Sequence, residues 1–201
     1  MAKSRVQQIV EIARKKGLLR PRDLAEVGIP RQYLRMAHDQ GLVQRVARGL
    51  YRIPDAMMSE NASLAEVCKR APSGVICLIS ALSFHELTTQ IPHFVYLAIE
   101  EKAHAPLIET VEVRCYRFSG SAFTQGIEKH DADGVEIRVY CAAKTVADCF
   151  KYRNKIGLDV AIEALRDCLS QRKTAIDDLV RYGRICRVEK VMKPYLEALL
   201  G

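Results

Sequence analysis

The sequence predicts an α+β fold in two parts, a helix-rich segment over residues 1–60 and a larger α+β segment over 61–201. Three observations carry this. In residues 30–54 a short polar helical stretch is stopped by Gly41 and followed by apolar residues that alternate with Gln44, Arg45, Arg48 and Arg52 around Gly49. Farther on, residues 111–116 and 135–140 alternate strictly, the period of a strand, before helical spacing takes over from Ala142 to the end. Charge is also uneven: residues 1–60 carry twelve Lys and Arg against six Asp and Glu, a net +6, whereas 61–201 carry nineteen against eighteen, a net +1.

In the first segment Ser4 stands where a helix cap is expected, because Val6, Ile9, Val10 and Ala13 follow at three- and four-residue spacing and Gly17 closes the run. Pro21 suits the first turn of a second helix, with Leu24, Ala25 and Val27 expected to face inward and Gly28 supplying a bend. A third helix is expected from Pro30 to Gln40. It would pack through Leu34 and Ala37, with Tyr33 beside them, and leave Arg31, Gln32, Arg35 and His38 facing outward. Two helices joined by a short glycine-bearing turn and followed by a ribbon read as a winged helix-turn-helix. In such a module the second helix enters the major groove and the ribbon follows the backbone. Arg31, Gln32 and Arg35 are therefore expected to read bases of double-stranded DNA, and Arg45, Arg48 and Arg52 to meet its phosphates. The concentration of positive charge here is the footprint of a polyanion partner.

Residues 55–63 are polar and read as a linker, which places a domain boundary near residue 60. A helix holding Leu64, Val67 and Cys68 follows, then a break at Ala71-Pro72-Ser73-Gly74 and an apolar run, 75–87, too long for one strand and expected to be mostly helical. Residues 94–99 read as a buried strand, and Asp133-Gly134 as a hairpin turn. The strands are expected to form a mostly antiparallel meander, burying Val111, Val113 and Cys115 with Val135, Ile137 and Val139 on one face. Four helices should complete the chain, marked by Val146, Cys149 and Phe150, by Val160, Ala164 and Leu165, by Ile176, Leu179 and Ile185, and by Val191, Tyr195, Leu196 and Leu199. A strand group followed by a helix group makes this segment α+β.

Several function classes find no support. No apolar run approaches the roughly 18 residues of a membrane span, and residues 1–16 lack a signal-peptide core, so a cytoplasmic protein with no membrane partner is expected. The seven cysteines, Cys68, Cys77, Cys115, Cys141, Cys149, Cys168 and Cys186, show no Cys-x-x-Cys pair and no histidine at ligand spacing. Asp131, Asp133 and the Glu136-x-Arg138 step would suit a metal-dependent nuclease, but a hairpin turn accounts for the aspartates, and Glu112-x-Arg114 repeats the step as ordinary alternation. His85 has no second histidine four residues on, and Ser83 and His85, two apart on a helix, face different ways. No glycine-rich phosphate loop precedes a helix. The residues thus imply no catalytic group, no metal site and no cofactor.

Three motifs in order, Arg48-Gly49-Leu50-Tyr51-Arg52-Ile53-Pro54, Ile79-Ser80-Ala81-Leu82-Ser83-Phe84-His85-Glu86-Leu87 and Ala143-Lys144-Thr145-Val146-Ala147-Asp148-Cys149-Phe150-Lys151, resemble the AbiEi antitoxin family of type IV abortive-infection toxin–antitoxin systems. The resemblance spans nearly the whole chain. It implies a bacterial DNA-binding antitoxin whose first domain represses its own operon and whose second neutralises a nucleotidyltransferase-type toxin. It also implies that the helix bearing Lys144, Asp148 and Lys151 belongs to a partner surface. From spacing alone, Lys144 and Asp148 would form a pair worth at most a few tenths of a kcal/mol. Two other classes remain open on the residues: a metal-dependent DNA-processing enzyme with a nuclease-like second domain, and a transcription regulator responsive to a small effector.

Overall fold

The first helix starts on its expected cap. The Gln7 amide donates to the Ser4 hydroxyl at 3.2 Å, while the Ser4 amide donates to the Gln7 side chain at 2.9 Å. The computed structural model describes residues 4–54 and 60–201, and the chain divides into two units, Met1–Arg70 with Asp131–Ile137, and Ala71–His130 with Arg138–Gly201. Of the stretch read as a linker, residues 55–59 lie outside the described residues.

The first unit holds α1 (Arg5–Lys16), α2 (Pro21–Ala25), α3 (Gln32–Asp39), β1 (Gln44–Ala47), β2 (Leu50–Arg52) and α4 (Ala62–Arg70). Its core gathers Ile9 and Ala13 of α1, Leu24 of α2 and Leu34 and Ala37 of α3, with Leu19, Ile29 and Val43 between them. Two expectations change. Helix α2 ends after five residues, so Ala25 is exposed and Val27 is 53% exposed; Ile29 takes the inward place, its amide donating to the Leu24 carbonyl at 2.9 Å. Helix α3 begins at Gln32 with Arg31 as its cap, leaving Pro30 ahead of the first turn. Strands β1 and β2 pair antiparallel, with a bulge between Arg45 and Ala47.

The rest of the chain, in the second unit except for Asp131–Ile137 at the β6–β7 turn, contributes β3 (Val75–Ile76), α5 (Leu78–Phe84), β4 (Val95–Glu100), β5 (Val113–Phe118), α6 (Ser121–Thr124), β6 (Ile127–Ala132), β7 (Val135–Tyr140), α7 (Ala142–Lys151), α8 (Arg153–Ile156), α9 (Leu158–Ser170), α10 (Ile176–Ile185) and α11 (Glu189–Leu200). The apolar run at 75–87 therefore supplies a two-residue strand before its helix. The strands form one sheet in the order β5-β4-β3-β7-β6.

This sheet is mixed, which corrects the expected antiparallel meander: β4 and β5 run parallel, β3 and β7 run parallel, and only β3 and β4 among these pairs are antiparallel. Alternation along a strand sets which face each side chain takes and carries no information on the direction of its neighbour. The stretch 101–112 is long enough to return the chain for a parallel partner, which needs about a dozen residues. As an edge strand, β5 leaves Val113 and Cys115 only half-buried, and Val111 falls before its start, whereas Val135, Ile137 and Val139 are buried as expected. Asp133 and Gly134 adopt φ of 52° and 73°, the positive pair that a type I′ hairpin turn requires.

Helix α7 is buried on every side: each residue from Ala142 to Phe150 is enclosed, and α5, α9, α10 and α11 pack against it. Alanines at 142, 143 and 147 let these neighbours approach closely. The core of this unit is assembled around that helix, from Leu78 and Leu82 to Leu165, Leu179 and Met192.

Candidate nucleic-acid interface

In the first unit, burial of Leu34 and Ala37 fixes the rotation of α3. Arg31, Gln32 and Arg35 are consequently exposed on its other side. The Arg35 side chain is 87% exposed, and its nearest acid, Asp39, lies 3.9 Å away and is itself exposed, a contact worth at most about 1 kcal/mol that leaves the guanidinium available. His38 is committed elsewhere. Its Nδ1 lies 3.1 Å from the Val43 carbonyl and its ring meets Tyr51 edge-on at 5.9 Å, so it ties the end of α3 to the ribbon.

On the ribbon, Arg45 and Arg48 are exposed, and the Arg45 Nε donates to the Ala47 carbonyl at 3.2 Å across the bulge. Arg52 differs from expectation. It is half-buried, and its Nε is enclosed without a hydrogen-bond partner, so less of this guanidinium is offered to solvent than at Arg45 or Arg48. The ribbon is anchored by Leu19, which exchanges both backbone hydrogen bonds with Tyr51 at 2.8 and 2.9 Å and thus acts as a one-residue third strand.

A polar contact that sequence reasoning missed holds the turn into α2. The Arg20 amide donates to Asp23 at 2.7 Å, and Lys69 and Lys16 stand 3.3 and 3.5 Å from the same carboxylate. Burial pushes the Asp23 carboxyl up, but the Arg20 amide and the two lysines outweigh it and hold it below its ordinary value. The signal was present: an acid three residues after the cap is capping-box spacing.

The residues assigned to a partner surface are only partly on a surface. Lys144 and Asp148 have no exposed side-chain area and pair at 2.5 Å inside the core of the second unit. The Lys144 amine sits 4.0 Å from the centre of the Tyr140 ring and 4.9 Å from that of Phe118, and the Cys186 thiol donates to Asp148 at 3.2 Å. Lys151 alone of the three is exposed.

The nuclease-like residues are occupied structurally: Asp131 accepts from the Gly134 amide at 3.1 Å, and Arg138 donates to the Ser73 and Pro72 carbonyls at 2.9 and 3.3 Å. Among the described residues, no three His, Cys, Asp or Glu side chains are grouped to hold a metal ion. All seven cysteines are thiols. His85 is satisfied by the Tyr140 carbonyl at 2.8 Å, and burial lowers its pKa, which favours the neutral ring. No helix of the described residues is long and apolar enough to cross a membrane.

Three helices and a short antiparallel ribbon that exposes arginines define a small module with a cationic surface, within a chain that is α+β throughout. The family model described as "Transcriptional regulator, AbiEi antitoxin" matches residues 7–54, which are this module from α1 to the end of the ribbon. Over residues 7–54 the chain is thus similar to the AbiEi antitoxin regulators, the family that its three sequence motifs resemble. No curated protein matches the chain.

Proposed function

We propose that residues 1–60 form a winged helix-turn-helix that binds the operator of the protein's own operon, and that the protein is an antitoxin and autoregulatory repressor of a type IV toxin–antitoxin system acting in the bacterial cytoplasm against phage infection. The observation that carries the reading is the exposure of Arg31, Gln32 and Arg35 on the face of α3 opposite Leu34 and Ala37, followed by Arg45 and Arg48 on the ribbon. A groove-plus-backbone reader requires that pairing of elements. The Leu19–Tyr51 bridge supports it further, since it stiffens the base of the wing. The role of residues 61–201, neutralising a nucleotidyltransferase-type toxin without catalysis of their own, rests on the AbiEi resemblance.

Fluorescence anisotropy with the upstream operon sequence and with random duplex tests the first role. Each bidentate base contact is worth about 1–3 kcal/mol of discrimination, so Arg35→Ala should weaken operator binding about 5- to 150-fold and random-duplex binding far less. Equal losses on both duplexes would remove the base-reading assignment; no loss on either would remove the placement of α3 against DNA. For the second role, full-length Arg31→Ala/Arg35→Ala protein made from an independent promoter should still rescue cells that express the neighbouring toxin. Loss of rescue in that variant would move protection into the N-terminal module.

A further inference from the structure

The second unit contains a cavity of about 540 Å³ whose walls include Ser119, Ser121, Lys151, Arg153, Cys186 and Arg187. Three cations face one concavity, and no carboxylate lines it. Neighbouring cations find acids: Arg184 meets Glu189 at 2.9 Å, Arg181 meets Asp178 at 3.6 Å, and Lys193 meets Glu197 at 3.6 Å. Lys151, Arg153 and Arg187 form no ion pair of this kind among the described residues. Lys151 instead leans towards the Phe118 and Tyr152 rings, 5.5 and 5.8 Å from their centres, and one Arg153 nitrogen donates to the Phe150 carbonyl at 2.9 Å, which holds that guanidinium in position. Arg187 sits at a φ of 61°, a left-handed conformation that only a minority of residues with side chains adopt. The nearest buried acid, Asp148, is neutralised by Lys144. Burial and Asp148 push the Cys186 thiol up to about 12, so it stays protonated and adds no negative charge to the wall.

We propose that this cavity binds a small anion through a diphosphate or phosphate group. Two guanidinium groups and an ammonium supply a positive field and many N–H donors, with serine hydroxyls as neutral partners, a set suited to tetrahedral phosphate oxygens. The volume is that of a small-molecule site and exceeds the needs of one orthophosphate ion, which favours diphosphate. No aromatic ring lines the cavity, so a nucleobase finds no stacking platform there, and a nucleotide would be held by its phosphates alone.

Isothermal titration of the full-length protein with pyrophosphate, at low salt, tests this. We expect saturable one-to-one binding that weakens with added NaCl, and competition by a nucleoside triphosphate of similar affinity. Lys151→Ala/Arg187→Asn, at two exposed positions and with an asparagine that tolerates the left-handed backbone, should lose at least tenfold in affinity, whereas Arg31→Ala/Arg35→Ala should lose nothing. Should the double variant melt early by circular dichroism, Lys151→Gln alone should still lose severalfold. Absence of saturable binding, or a loss that follows Arg31 and Arg35, would overturn the proposal. So would duplex DNA held through Lys151 and Arg187 that pyrophosphate fails to displace, since the cavity would then be part of a backbone-binding surface.

Discussion

Replacing Lys144 with methionine removes the ion pair at the centre of α7 and keeps the volume. Ionised Asp148 would then retain the Cys186 hydrogen bond in a site with no solvent access. Its alternative is to take up a proton. Holding neutral, at pH 7, a carboxyl whose unfolded value is near 3.9 costs about 4 kcal/mol at roughly 1.36 kcal/mol per pH unit, and this caps the penalty. The figure agrees with the approximately 3–5 kcal/mol lost when one partner of a buried pair is removed. Burial already pushes the Asp148 carboxyl above its ordinary range, against the pull of Lys144, so the folded state binds the proton more readily than the unfolded chain. Stability of the variant is then highest in acid and falls as pH rises above the unfolded value. Its deficit relative to wild type should shrink to about 1.5 kcal/mol at pH 5 by the same arithmetic. Urea unfolding followed by circular dichroism, at pH 7 and pH 5, reads both numbers, and the melting temperature at pH 7 should drop by about 10 °C. Lys144→Met/Asp148→Leu should return to within roughly 1 kcal/mol of wild type, because an apolar pair fills the space without a charge to desolvate. A Lys144→Met cost below about 1 kcal/mol, independent of pH and additive with Asp148→Leu, would refute the buried coupling.

Other outcomes follow from the same geometry. Asp23 is held below its ordinary pKa, so its contribution is present above the unfolded value near 3.9 and is lost as pH falls through the folded value; Asp23→Asn should flatten the acid limb of a urea-derived stability profile as pH falls below about 4. Gly126 has a φ of 76°, and an added Cβ would lie 2.9 Å from the Lys144 Cβ and 3.0 Å from the Tyr182 ring, so Gly126→Ala should lower stability by about 2 kcal/mol in the same assay. Arg45→Ala and Arg48→Ala should each reduce the slope of log affinity against log salt by about one on operator and random duplex alike, measured by anisotropy. Arg52→Ala should change that slope less, because its guanidinium is half-buried.

The N-terminal module was legible because its signals are local: a cap at Ser4, apolar spacing in α1 and α3, and a turn between two short strands. Those signals fix which way Arg31, Gln32 and Arg35 point. The fate of Arg52 was not legible, since register at the end of β2 decides its burial and alternation alone does not. After residue 70, periodicity locates the strands and the hairpin turn but says nothing of strand direction, which depends on partners far apart in the chain. Spacing alone suggests a surface pair at Lys144 and Asp148 because i,i+4 spacing is the same on a solvated helix and on an enclosed one. The available clue was composition. In Ala142–Lys151 small and apolar residues surround both charges on every side, as in a helix that is buried all round.

The two-residue strand β3 has a kinetic consequence. The β6–β7 hairpin closes over a tight turn, on the microsecond scale of hairpins, and the β4–β5 pair joins across a connection of a dozen residues. Within the sheet Val75 and Ile76 link these halves, through pairings with Leu97 and Ala98 on one side and Val139 on the other, and the Cys77 amide adds a bond to the Tyr96 carbonyl at 3.0 Å. The Ile76–Val139 contact closes a loop of some sixty residues, and its entropy must be met before the ladder repays it. Completion of the sheet therefore waits on a seam two residues wide, and substitutions at Val75 or Ile76 should slow refolding as well as weaken the folded state.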